Sequence, residues 1–167
     1  MYKKIDVYEY LNVIVKELKK GVLLTTKKDG FVNTMTIAWG SIGIEWEKLI
    51  FTALVRQSRK TFDMLETGEF TINIPMGDDR KKEIVYCGTK SGNDTDKIAD
   101  MSFTLVEGRE VAVPAIKEFP LTLECRVIYE QLQDKDAMNK ETRDTMYPQQ
   151  DYHSMFYGEV VAAYIIE

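Results

Sequence analysis

The chain has 167 residues, 44% of them hydrophobic and 29% charged, with a formal net charge of −5, which suits one soluble domain with one core. No apolar run approaches the roughly 20 residues needed to cross a bilayer, and an acidic surface does not attract polyanions, so membrane and nucleic acid are set aside as partners. With one histidine, His153, and two cysteines, Cys87 and Cys125, at no metal or redox spacing, no metal centre is expected, and the cysteines read as reduced, partly buried thiols.

The opening residues, MYKKIDVYEYLNVIVKELKK, interleave charges with apolar side chains and lack the unbroken apolar segment of a secretory signal, so the expected compartment is the cytoplasm. Val7, Tyr10, Leu11, Ile14, Val15 and Leu18 recur at helical spacing and Gly21 follows as a stop, which predicts an N-terminal amphipathic helix within residues 1–20. VLLTT, then KKDG, then FVNTMTIAW predict a hairpin around an Asp-Gly turn. LIFTALV (49–55) predicts a further strand and SRKTFDMLET (58–67) a helix closed by Gly68. EFTINIP (69–75) is again a strand, ended by Pro75.

Residues 78–101 are polar and helix-leaning, broken by GTKSGNDTD, a stretch rich in loop formers. Two more strands are expected near 120–131 and in the closing MFYGEVVAAYIIE. The polar residues between them, 132–150, predict a surface excursion. Strands do not alternate regularly with helices, so a doubly wound parallel sheet is excluded. A mainly β architecture with peripheral helices, an antiparallel barrel, fits the pattern, and the chain reads as a single domain, 1–167.

Three segments carry chemistry. Arg56-Gln57-Ser58-Arg59-Lys60-Thr61 lies where a strand passes into a helix, so guanidiniums, hydroxyls and free N–H groups converge, a set suited to a phosphate monoester. A capped helix start with solvated basic residues is the alternative, and the residues alone leave both open. Asn33-Thr34-Met35-Thr36-Ile37-Ala38-Trp39-Gly40 places small polar, Met and Trp side chains on a strand able to wall a planar ring, although an aromatic strand is more often plain core. Ser91-Gly92-Asn93-Asp94-Thr95-Asp96-Lys97 reads as a loop with a helix cap.

In their order and spacing, NTMTIAW (33–39), RQSRKT (56–61), SGNDTDK (91–97), LEC (123–125) and HSMFYGEV (153–160) resemble the flavin reductase-like proteins with the FMN-binding split barrel, a group that includes the flavoredoxins. The resemblance runs from about Gly21 to the end of the chain. It implies a greek-key split barrel that forms a homodimer, with FMN near the subunit interface. It places Arg56, Ser58, Arg59 and Thr61 at the phosphate end, and Asn33, Thr34, Met35, Thr36, Ala38 and Trp39 on the ring side. Thr52, Ala53 and Leu54 would pass beside the ribityl chain, Lys97 would reach the ring or its polar edge, and His153 would stand near the site. The third motif departs from the family's pattern, with Asn93 where Arg often follows Ser-Gly.

The activity implied is that of an NAD(P)H:flavin reductase, in which NADH or NADPH gives hydride to the flavin and no side-chain catalytic residue is required. The alternative is a flavoredoxin-type carrier, loaded with FMN and serving a redox partner protein without nicotinamide activity of its own. A structural or sensory barrel with a degraded site is a third class.

Overall fold

Asp29 and Gly30 carry φ of 50° and 80° in the computed structural model, which describes residues 1–77 and 79–167. This left-handed pair is what a two-residue hairpin turn requires, and Asp-Gly supplies it at low steric cost. Strand β2 (Val22–Lys28) therefore folds straight back onto β3 (Phe31–Ile37), with Thr25 opposite Thr34. A second hairpin joins β4 (Gly40–Glu45) to β5 (Lys48–Arg56). Its turn residues, Trp46 and Glu47, adopt φ of 50° and 59° without any glycine, so no turn signal announces it. The sequence pattern points to one strand here, and the structure has two.

Ahead of these hairpins, β1 (Tyr2–Lys4) pairs with the C-terminal strand, and one 3-10 turn, Val7–Tyr10, is capped by the Asp6 carboxylate accepting from the Tyr8 N–H at 3.0 Å. Helix α1 (Leu11–Lys20) follows, shorter than the apolar periodicity suggests, with Ile14 and Leu18 buried one turn apart. Gly21 ends it at φ 115°, where a Cβ would lie 2.7 Å from Ile84 Cγ2.

Antiparallel strands β6 (Glu69–Ile74), β9 (Leu121–Leu132) and β10 (His153–Ile166) complete one sheet in the order β3-β2-β6-β9-β10-β5-β4. The two edge strands, β3 and β4, are consecutive in the chain and joined only by Ala38 and Trp39. Three peptide units span at most about 11 Å, so the sheet must curl until its edges meet. The result is an antiparallel split barrel whose seam lies between β3 and the β4–β5 hairpin. Leu24, Phe51, Val55, Phe70, Ile72 and Leu123 fill it and are fully buried.

The helices sit outside the barrel. Helices α2 (Lys60–Met64), α3 (Lys81–Thr89) and α4 (Lys97–Asp100) gather on the β3 side, and α5 (Lys140–Met146) lies within the long excursion between β9 and β10. A short ribbon, β7 (Leu105–Val106) with β8 (Ala115–Ile116), carries a loop that the buried Glu124 carboxylate anchors. It accepts from the backbone N–H of Arg109 and Glu110 at 2.7 Å each and from the Tyr164 hydroxyl at 2.7 Å. No helix among the described residues is long and apolar enough to cross a membrane.

Gly158 marks a close approach in the barrel wall: a Cβ there would lie 2.5 Å from Phe70 Cζ and 2.8 Å from Cys125 Cβ. Gly158→Ala should lower the stability to urea by about 1–3 kcal/mol, the usual cost of overpacking. Gly43→Ala, with nothing within 4 Å of its would-be Cβ, should stay within about 0.5 kcal/mol. Equal midpoints for the two variants would contradict this packing.

Candidate functional site: a cleft at the barrel seam

An edge strand leaves one row of backbone N–H and C=O groups without a ladder partner. On β3 part of that row is covered from the helix side. Lys97 Nζ donates to the Thr34 carbonyl at 2.9 Å and to the Cys87 carbonyl at 3.1 Å, and the Thr36 hydroxyl donates to the Ile84 carbonyl at 2.6 Å. Farther along, Met35 to Trp39 line an open cleft of about 200 Å3, closed on its other sides by Leu54, Arg56, Arg59 and His153. Trp39 is 40% exposed there, unusual for so large an apolar surface and explained by its place in the link that bridges the seam.

The basic motif reaches this cleft from the end of β5. Arg56 Nη1 donates to the Asp151 carbonyl at 2.5 Å and Nη2 to the Met146 carbonyl at 3.4 Å, while its guanidinium lies 5.2 Å from the Tyr147 ring centroid. Arg59 donates to the Gly88 and Cys87 carbonyls at 2.9 and 3.3 Å, meeting the orphan carbonyls and the negative dipole end of α3. A guanidinium has five N–H donors, so each arginine retains donors beyond these bonds. The Ser58 hydroxyl donates to Asp151 Oδ2 at 2.6 Å.

Of the residues that the sequence singled out, the structure brings Met35, Thr36, Ala38, Trp39, Leu54, Arg56, Arg59 and His153 together around the cleft. The others lie behind or beside it. Asn33 is buried and donates from Nδ2 to the buried Thr61 hydroxyl at 2.8 Å; the Thr34 hydroxyl bonds the Leu24 carbonyl at 3.2 Å. Ala53 is buried opposite Phe156 and Thr52 pairs with Tyr157. Lys97 is buried on its two carbonyls, and Gly92 packs so closely on Asn33 that a Cβ would sit 2.3 Å from its amide oxygen. Asn93, the departure in the third motif, faces a separate hollow beside Lys60.

Two participants have no signal in the sequence pattern. Tyr147 and Asp151 belong to the end of the polar excursion. The Tyr147 ring meets His153 and Trp39 edge to face, with ring centroids 5.5 and 6.3 Å apart. An aromatic residue before a proline inside a polar stretch is the only hint that the sequence holds.

The cleft holds more positive charge than its surroundings neutralise. Burial, then Arg56, lowers the Arg59 pKa. Burial, then Arg59, brings Lys97 down to about 8. Burial, then Arg56, brings His153 down to about 4. Asp151 is the carboxylate that opposes the shifts of Arg59 and His153. Groups that resist charging through mutual repulsion and desolvation are stabilised by an incoming anion. Cys87 is pushed up to about 11 by burial, so no thiolate nucleophile is available here. Among the described residues no group of three His, Cys, Asp or Glu side chains is placed to hold a metal ion.

A family model described as flavin reductase like domain matches residues 17–167. An uncharacterised protein of Archaeoglobus fulgidus is 32% identical over 130 residues, 77% of this chain and 63% of that one. An uncharacterised protein of Pyrococcus abyssi is 28% identical over 133 residues, 78% of this chain and 64% of the other. The chain thus spans less than two thirds of the length of both relatives. Flavoredoxin of Desulfovibrio vulgaris (Miyazaki F) superposes with a TM-score of 0.69 at 25% identity, over 88% of this chain and 69% of that one. Flavoredoxin from Methanosarcina acetivorans gives 0.67 at 29%, over 88% and 68%. An FMN-binding domain of a flavin reductases-like enzyme from Shewanella baltica gives 0.72 at 17%, over 99% and 77%, a likeness of fold.

His153 sets a pH dependence. Its folded-state pKa of about 4 lies below the ordinary 6.5, so on acidification the unfolded chain takes up a proton that the folded chain refuses. Stability should fall as pH drops from about 6.5 toward 4. Urea midpoints at pH 7 and pH 5 should differ more for the native protein than for His153→Gln; parallel pH profiles would show that the ring is not held neutral.

Proposed function

The chain belongs to the flavin reductase-like domain family, and on that premise we propose that it is an FMN-binding oxidoreductase, fed with hydride by NADH or NADPH, whose flavin lies in the seam cleft. The observation that supports this most is the half-buried excess of positive charge from Arg56 and Arg59 directly beside an edge strand and a flat apolar wall. A phosphate matches the first and a planar heteroaromatic ring the second. The donor set fits FMN on both counts.

Arg56 and Arg59 would hold the phosphate with the donors not already bonded to carbonyls, and Ser58 would join them by turning its hydroxyl from Asp151 to the phosphate. Leu54 and Met35 would flank the ribityl chain and ring, and the unpaired edge of β3 at Thr36 and Ile37, with the Ala38–Trp39 link, would meet the ring's polar atoms. Asn33, Thr61 and Lys97 act from behind, fixing β3 against α2 and α3. Bound FMN supplies the hydride acceptance and electron release; the protein supplies position, charge and a dry wall. A compact cluster for one terminal phosphate, with no Gly-rich dinucleotide fingerprint, favours FMN over FAD.

A second reading, an FMN-loaded electron carrier for a redox partner protein, is supported by the likeness to two flavoredoxins. Mixing the flavin-loaded protein with NADH or NADPH without air separates the two: rapid bleaching supports the reductase, and a yellow colour that persists supports the carrier.

We further propose a homodimer, formed through the outer face where Trp46 (55% exposed) clusters with Tyr129 and Tyr157 beside Ile44 (61% exposed). A contiguous aromatic patch of this kind is an association surface. Light scattering should report a dimer at micromolar concentration, and Ile44→Asp a shift toward monomer; a native monomer with flavin bound would sink the proposal.

Arg59→Ala should weaken FMN roughly ten- to a hundred-fold, since a charge-assisted hydrogen bond contributes about 1.5–3 kcal/mol. Riboflavin, which lacks the phosphate, should lose much less. Because Arg59 also caps α3, circular dichroism of the variant must match the native spectrum. Equal losses for both flavins would show that the cluster does not read phosphate.

A further inference from the structure

The polar excursion reaches the basic motif through one short segment, Tyr147-Pro148-Gln149-Gln150-Asp151. Its last residue meets the motif twice. The Asp151 carbonyl accepts from Arg56 Nη1 at 2.5 Å, and its carboxylate Oδ2 accepts from the Ser58 hydroxyl at 2.6 Å. Arg56 Nη2 holds the Met146 carbonyl at 3.4 Å, just ahead of the segment, and the Tyr147 ring lies 5.2 Å from the same guanidinium. Gln150, immediately before Asp151, has φ 59°, a left-handed conformation that glutamine seldom adopts. A strained residue persists where its surroundings over-determine it, and here those surroundings are the bonds to Arg56 and Ser58.

A serine hydroxyl has one proton to give. While Ser58 gives it to Asp151, a phosphate cannot receive it. The two acceptors also repel each other and are unequal. A phosphate monoester carries about two negative charges at neutral pH and three acceptor oxygens, against one charge and two oxygens on a carboxylate. Asp151 is also the carboxylate that offsets the crowding of Arg59 and His153. It supplies from within the chain, on a strained tether, the negative charge that the motif attracts.

We propose that Asp151 is an internal competitor for the phosphate donors: a phosphate monoester displaces its carboxylate from Ser58, and the segment from Tyr147 to Asp151 then loosens from the barrel. That the monoester is FMN rests on the flavin reading above. Asp151 thereby sets specificity, because the competition weakens ligands that carry the phosphate and spares riboflavin, which lacks it. The excursion becomes a strap whose hold on the barrel depends on whether the phosphate position is filled.

Asp151→Asn keeps the shape of the side chain and removes its charge. FMN should bind this variant roughly five- to twenty-fold tighter than the native protein, the size expected when one charge several ångströms from a phosphate is lost at a half-exposed site. Riboflavin should change by less than about twofold. Amide exchange read by mass spectrometry at residues 147–151 should quicken when FMN is added to the native protein and not when riboflavin is added. In Asp151→Asn part of that quickening should be present before any ligand. Unchanged or weaker FMN binding by the variant would show that Asp151 does not compete, and a segment that FMN slows would show that phosphate tightens the strap; either result overturns the inference. A native protein that takes up neither flavin counts against the function proposed above. Inorganic phosphate then decides the inference, which stands if phosphate quickens exchange in the segment and fails if it does not.

Discussion

Ile37 and Gly40 are separated by two residues, yet they belong to opposite edges of a seven-strand path. That short tether forces the sheet to close, and the closure is imperfect because β3 and β4 are not hydrogen-bonded to each other. An imperfect seam leaves backbone groups that must be satisfied in some other way. On one stretch of β3 the Lys97 side chain of α4 satisfies the Thr34 carbonyl; on the next, the strand faces the cleft. The site is thus a consequence of how the barrel closes, and its flat wall and polar edge come from the same few residues.

Charge follows from the same geometry. β5 must end at the seam, and it ends on Arg56, with Arg59 one turn later. Both guanidiniums hold backbone carbonyls of distant segments, from α3 and from the excursion, so they organise the walls of the cleft while crowding each other. The same residues that shape the site bring two cationic groups together, and burial with the Arg56 charge lowers the Arg59 pKa.

Much of this is legible in the sequence. Asp29-Gly30 announces its hairpin because only a few residue pairs tolerate that turn. The basic motif and the NTMTIAW strand stand out because charge and small polar residues interrupt an apolar pattern. What stays hidden depends on long-range contact. The β4 strand carries no signal because its turn uses Trp46 and Glu47 in a conformation that neither favours. The partners of Arg56 lie 90 and 95 residues away, so no local pattern shows that its donors are partly occupied. Lys97 looks like a free cation in the sequence; burial turns it inward onto two carbonyls. Tyr147 sits in a stretch whose polarity hides its arrival at the cleft.

Every role proposed for the cleft residues requires that this seam hold a flavin mononucleotide. The most direct measurement is the absorption spectrum of the native protein after equilibration with excess FMN and removal of the unbound flavin, followed by release and chromatographic identification of what remains. The expected result is a stoichiometric flavin spectrum and FMN as the released species. A colourless protein, or one that retains FAD in preference from a mixture of the two, would contradict the assignment of Arg56 and Arg59 to a terminal phosphate.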